Sequence, residues 1–164
     1  SGNADAILIP EIPYNIKKVA EALKLRPKRG KHYCIVVVAE GAKPVGGSVS
    51  VVSKELGRAE KLGGAGERVA KELEPLTGKE CRTVVLGHLL RGGSPTTFDR
   101  LLSLRFGAAA VRALAEGKSG VMVALDPPRV RYVPLSEISG RMKTVPPDCD
   151  SIVTARELGI CMGD

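Results

Sequence analysis

The run Cys34-Ile35-Val36-Val37-Val38-Ala39 constrains the fold of this chain more than any other stretch. Side chains alternate across a strand, so six consecutive small or β-branched apolar residues would leave half of them wet on a one-sided sheet. The run therefore predicts a strand buried on both faces, and so a parallel sheet covered by helices. Glu40-Gly41 ends it, which puts Glu40 at a strand's carboxyl end. Ligands of open α/β sheets bind at that edge, where a carboxylate can accept hydrogen bonds from sugar hydroxyls. A salt-bridged or solvated carboxylate is the equal alternative for this residue alone.

The remaining elements agree with an α/β chain. Ala6-Ile7-Leu8-Ile9 is wholly apolar and stops at Pro10, as a central parallel strand would. Ile16, Val19, Ala20 and Leu23 then mark one face of a helix that must end before Pro27. Arg26, Lys28, Arg29 and Lys31 form a basic connector, most simply a solvated loop and alternatively part of a second anion site. Gly41 to Gly64 is irregular and glycine-rich, an exposed excursion with room for a short strand or helix. Val69, Ala70, Leu73 and Leu76 give another helical stripe, ending near Gly78. Val121 to Leu125 predicts a further buried strand, Val130 to Val133 an antiparallel edge strand across Pro127-Pro128, and Ser151 to Leu158 a short helix in the tail.

Chemistry concentrates between Arg82 and Arg100. Val84-Val85-Leu86 predicts a short buried strand, and a glycine-broken loop carrying His88 and Arg91 follows it. Ser94-Pro95 suits an N-cap and first helical position, and Phe98, Leu101, Leu102, Leu104, Ala108, Val111 and Leu114 recur near helical spacing until Gly117. Helix N-termini expose unpaired N–H groups and positive dipole, and glycines let a ligand approach the backbone. Arginine adds a bidentate fork for phosphate, and histidine one more donor. Any one of these could be a solvated basic residue at a strand-to-helix turn; together they predict a phosphate site.

Composition narrows the partners. A chain of 164 residues with 43% apolar content can bury a real core, and a net charge of +7 favours an anionic partner. Two Phe, three Tyr and no Trp offer few platforms for stacking bases, so nucleic acid is set aside. No apolar run reaches the roughly 20 residues of a membrane span, and Ser1-Gly2-Asn3-Ala4-Asp5 lacks the basic and apolar regions of a secretory signal, so no membrane partner and a cytoplasmic location are expected. Cys34, Cys81, Cys149 and Cys161 show no C-x-x-C pairing and are assigned neither metal nor disulfide.

Leu86 to Arg100, L-G-H-L-L-R-G-G-S-P-T-T-F-D-R, with Arg82 upstream, resembles the substrate-binding motif of the 6-phosphofructokinases. The segments I-L-I-P-E-I-P-Y (Ile7 to Tyr14), I-V-V-V-A-E-G-A (Ile35 to Ala42) and G-K-S-G-V-M-V (Gly117 to Val123) resemble the same family in the same order. The resemblance implies a phosphofructokinase-like three-layer sandwich with a mostly parallel sheet flanked by helices. It implies that His88 and Arg91 hold the phosphate and sugar of fructose 6-phosphate, that Glu40 bonds the sugar, and that Arg82 reaches the site of a neighbouring subunit in a homo-oligomer. Asp5, Arg29 and Lys31 fall where allosterically controlled members bind a nucleotide effector. Residues 1–90 would form a sugar-phosphate lobe, 91–140 would return to the donor lobe, and 141–164 would pack back.

The family's G-G-D-G donor loop and its T-I-D-N-D segment with the catalytic aspartate are missing from the sequence. The chain is therefore expected to be the C-terminal half of the enzyme, with no catalytic or metal-binding residue of its own and no turnover alone. Mg²⁺ with ATP or pyrophosphate would be held mainly by the N-terminal half, the chain's expected partner. The alternative is a non-catalytic module that senses a sugar phosphate or another polyanion.

Overall fold

The computed structural model of the chain describes residues 4–25, 33–49, 51–53, 61–62 and 64–164. Two compact units emerge, one made of Ser1–Val85 with Thr144–Asp164 and the other of Leu86–Lys143.

The first unit is built on β1 (Ala6–Leu8) and β2 (Val36–Val38), parallel and in register from Ala6 opposite Val36 to Leu8 opposite Val38. Ala6 also bridges in parallel to Cys161, so β1 is the central strand, as its apolar run predicts. Alternation sends Ala6 and Leu8 to one face, where they pack with Val19, Ala20 and Leu23 of α1 (Ile16–Lys24) and with Val69 and Leu73 of α2 (Ala65–Thr77). Ile7 and Ile9 go to the other face, against Ile12, Met162 and Ile152 of α5 (Asp150–Glu157). Helices thus cover both faces of β1, and each fully buried Val or Leu contributes roughly 1.5–3 kcal/mol.

Helix ends follow local chemistry. Asn15 Oδ1 accepts from the Lys17 N–H at 3.0 Å to open α1. Gly78, left-handed at φ 67°, closes α2 where its stripe of Val69, Leu73 and Leu76 runs out. The excursion after Gly41 contains a small antiparallel pair, β3 (Val51–Ser53) and β4 (Lys61–Leu62). Its start is not an exposed loop. Ala42 is fully buried, and Pro44 bridges to Tyr14, which is itself fully buried.

The second unit holds a short 3-10 helix (Gly87–Arg91), α3 (Thr97–Ala115), the strands β5 (Val121–Asp126) and β6 (Arg129–Pro134), and α4 (Leu135–Ile138). β5 and β6 pair antiparallel as expected, from Val121 opposite Pro134 to Asp126 opposite Arg129. α3 lies on this hairpin through buried Ala109 and Ala113, and the Tyr132 hydroxyl donates to the Ala109 carbonyl at 2.9 Å.

Four expectations are corrected. β2 is not buried on both faces: α1 and α2 cover Val36 and Val38, but α5 reaches only Ile7 and Ile9, and Val37 stays half exposed. Val84, Val85 and Leu86 form no strand and are exposed, because no strand among the described residues pairs with them. α3 starts after Ser94-Pro95, with Thr96 as its N-cap, because a reciprocal capping box with Asp99 outcompetes the serine. The apolar stripe of α3 is not its buried face. Phe98, Leu101, Leu104, Val111 and Leu114 are exposed, while the small Ala109 and Ala113 make the contact.

Candidate functional site

Glu40 sits where the sequence places it. β2 ends at Val38, the Ala39 N–H donates back to the Leu8 carbonyl at 2.9 Å, and the Ala42 N–H donates to the Ala39 carbonyl at 2.9 Å. This closes a tight turn with Glu40 exposed at the carboxyl edge of the parallel pair. The turn is held from outside by Arg68 of α2, whose guanidinium donates from Nη2 to the Ala42 carbonyl at 3.2 Å and from Nη1 to the Ser48 carbonyl at 3.1 Å. Beneath it, burial pushes the Tyr14 phenol above its ordinary range, and Arg68 nearby offsets part of that rise. Nothing in the sequence singles out Arg68, because a lone arginine on the polar side of a helical stripe looks solvated.

Arg82 also belongs to the first unit, on the extended stretch after α2. It is exposed, and its Nε donates to Glu80 Oε1 at 3.0 Å in a surface pair too wet to hold the side chain firmly. Together with Val84 it borders a cleft of about 590 Å³ floored by Leu23, Val36, Val69 and Leu73. Burial raises the Cys81 thiol in this cleft, and the Glu74 carboxylate adds to the rise, which disfavours a reactive thiolate.

His88 and Arg91 are brought together on the 3-10 helix of the second unit, a few residues before α3. His88 is exposed, and the Arg91 side chain lies outside the described residues. The following N-terminus is well defined. Thr96 Oγ1 accepts from the Asp99 N–H at 3.2 Å, and Asp99 Oδ2 accepts from the Thr96 N–H at 2.8 Å. The Thr96 hydroxyl also donates to Asp99 Oδ2 at 2.7 Å, and it and the Thr96 N–H hold the Asp99 carboxyl below its usual range. The S-P-T-T-F-D string contains this cap two residues downstream of the serine, a signal available in the sequence.

The three effector candidates differ in placement. Asp5 is buried, and its Oδ2 accepts from the Ile35 N–H at 2.7 Å while its backbone bonds Ile35 and Cys161. That carboxylate ties β1 to the lead-in of β2. Arg29 and Lys31 lie outside the described residues.

A parallel pair with a carboxylate at its carboxyl edge in the first unit, and a basic turn leading into a capped helix in the second, make this an α/β protein. The phosphofructokinase family model matches residues 1–114, and the chain belongs to that family. It is 52% identical over its whole length to the ATP-dependent 6-phosphofructokinase of Chloroflexus aurantiacus, of which it covers 45%. It is 45% identical to the ATP-dependent 6-phosphofructokinase of Spirochaeta thermophila, with the same share covered. The chain thus spans about half the length of these curated relatives. In fold it matches the pyrophosphate-dependent phosphofructokinase from Nitrosospira multiformis with a TM-score of 0.67 at 23% identity, covering 97% of this chain and 41% of that one. The phosphofructokinase from Saccharomyces cerevisiae matches with a TM-score of 0.62 at 25% identity, over 82% of this chain and 17% of that one. The α/β fold expected from the Cys34 to Ala39 run is the phosphofructokinase fold.

Proposed function

We propose that this chain is the sugar-phosphate-binding, C-terminal half of a cytoplasmic 6-phosphofructokinase. The complete enzyme moves a phosphoryl group from ATP to the 1-hydroxyl of fructose 6-phosphate, giving fructose 1,6-bisphosphate. The observation that carries the reading is the match of the phosphofructokinase family model over residues 1–114, a span that contains Glu40, Arg82, His88 and Arg91. His88 and Arg91 would hold the 6-phosphate, Glu40 would accept from the sugar hydroxyls, and Arg82 would complete the site of a neighbouring subunit. Its weak pairing with Glu80 leaves Arg82 available for that role. ATP is favoured as donor by the names of the relatives at 45 and 52% identity, whereas the pyrophosphate-dependent neighbours share fold alone.

Asp5, Arg29 and Lys31 are kept as an effector-site proposal with Asp5 in a supporting part, since its carboxylate serves the backbone of Ile35. Residues 1–90 would be the sugar-phosphate lobe, 91–140 would return to the donor lobe, and 141–164 would pack back.

The family's chemistry calls for Mg²⁺ and a carboxylate that takes the hydroxyl proton. Among the described residues no group of three or more His, Cys, Asp or Glu could hold a metal ion, and no step is assigned to them. What these residues do is bind and orient the acceptor sugar. The test is a coupled assay of the 164-residue chain alone and of the full-length protein that contains it. No turnover by the first and fructose 6-phosphate-dependent ATP consumption by the second is the expected result. Fructose 6-phosphate binding with no turnover by the full-length protein would favour a sensor module.

A further inference from the structure

We infer that the second unit carries an oligophosphate-binding cleft between α3 and the start of β6, formed by Arg105, Arg112 and Arg129. The cleft measures about 550 Å³, and its lining is these three arginines with Leu104, Ala108 and Val130. No carboxylate lines it, and among the described residues none of the three arginines has an Asp or Glu within ion-pairing distance. Cations left uncompensated beside apolar walls concentrate positive potential. The surroundings do not dilute it: Leu86–Lys143 contains nine Lys and Arg against four Asp and Glu, so most of the net charge of +7 falls in this unit.

The geometry is fixed rather than incidental. Arg105 is half buried, and its Nη2 donates to the Pro128 carbonyl at 2.6 Å, which pins the hairpin turn to α3 and delivers the next residue, Arg129, to the cleft. Arg112 lies two helical turns beyond Arg105, on the same side of α3 and roughly 10 Å along its axis. A single phosphate cannot engage guanidinium groups based that far apart as well as two linked phosphoryl groups can. Arginine forks match phosphoryl oxygens bidentately. The ligand class is therefore an anion with at least two phosphoryl groups.

The test is calorimetric and NMR titration of the 164-residue chain with sodium pyrophosphate, sodium tripolyphosphate and inorganic phosphate at low and high salt. Saturable binding of the first two at one site, tighter than inorganic phosphate, with shifts at Ala108 and Val130, is expected. Arg112→Ala and Arg129→Ala should each weaken it at least tenfold, and Arg141→Ala, an exposed arginine of the same unit outside the cleft, should leave it unchanged. Circular dichroism checks that the variants fold. Equal weakening by all three variants would mean diffuse charge attraction and would overturn the assignment. So would shifts confined to residues outside the cleft, which would point to carboxylates of another protein surface as the arginines' natural partners, or no saturation at all. The outcome does not depend on fructose 6-phosphate turnover, so it stands or falls apart from the proposed function.

Discussion

Arg68 on α2 donates to the carbonyl of Ala42, the residue whose own N–H closes the turn that presents Glu40. With its second bond, to the Ser48 carbonyl, it clamps both ends of the segment that runs over buried Tyr14. Arg68→Ala leaves both carbonyl acceptors short of a donor. Charged hydrogen bonds of this kind contribute about 1.5–3 kcal/mol, so urea unfolding should show a loss of about 2 kcal/mol. A loss below about 0.5 kcal/mol would show that water replaces the guanidinium freely.

Gly163 is the other device that keeps Tyr14 in place. Its φ is 89°, and a Cβ there would fall 2.6 Å from Tyr14 Cβ and 3.1 Å from Leu8 Cδ2. Both neighbours are fully buried, so neither can step aside cheaply. Left-handed strain adds roughly 1–2 kcal/mol and overpacking roughly 1–3 kcal/mol. Gly163→Ala should therefore lower stability by about 2–5 kcal/mol, read as a drop in denaturation midpoint with an unchanged slope. Wild-type stability in that variant would mean the tail is not docked on β1.

The capping box of α3 makes its first turn sensitive to acid. Two bonds from Thr96 hold the Asp99 carboxyl below its ordinary range. A depressed folded-state value means that the carboxylate's contribution is complete above the unfolded value and is lost as pH falls through the folded one. Amide signals of Thr97 to Arg100 should therefore stay constant from neutral pH to the usual carboxylate range and change below it. Asp99→Asn should abolish that acid transition while leaving α1 and α2 untouched. An unchanged transition in this variant would assign it to another carboxylate.

The sequence reveals most of what local patterning decides. The stripes of Val19, Ala20 and Leu23 and of Val69 and Leu73 are the buried faces of α1 and α2, and Gly78 ends the second, because each helix packs on a sheet within the same unit. Glu40 at a strand end was legible for the same reason: an apolar run must stop, and the residue after it is displaced to the edge. What failed depended on neighbours the pattern cannot name. Val84 and Val85 carry the composition of a buried strand but have no pairing partner among the described residues, and Val37 faces a side that α5 does not reach. Arg68 was invisible because its acceptors are backbone carbonyls, which leave no trace in side-chain identity.

The apolar stripe of α3 should drive association of the chain on its own. Leu104, Val111 and Leu114 are each about two-thirds or more exposed, and exposed apolar groups on this scale mark surfaces that are covered in the working protein. Sedimentation of the 164-residue chain should show concentration-dependent self-association. Val111→Lys with Leu114→Glu should shift it to monomer without changing the helical signal, since both side chains are largely exposed. A monomeric wild-type chain at high concentration would show that the stripe tolerates water.

The last expectation concerns the residues proposed to hold the sugar phosphate in the full-length protein. His88 and Arg91 share one short 3-10 helix, and each is proposed to give a separate contact to one phosphate. Charge-assisted contacts of this kind are worth roughly 1.5–3 kcal/mol, which corresponds to a rise of about 10- to 150-fold in the KM for fructose 6-phosphate on replacement by alanine. Glu40→Gln should raise the same KM, since an amide accepts fewer hydroxyl bonds than a carboxylate. The KM for ATP should change little in all three variants, because none removes a group proposed to touch the donor. Steady-state kinetics with each substrate varied in turn separates these outcomes. If the two KM values rose in parallel, the residues would be shaping the fold of both lobes and not the sugar site.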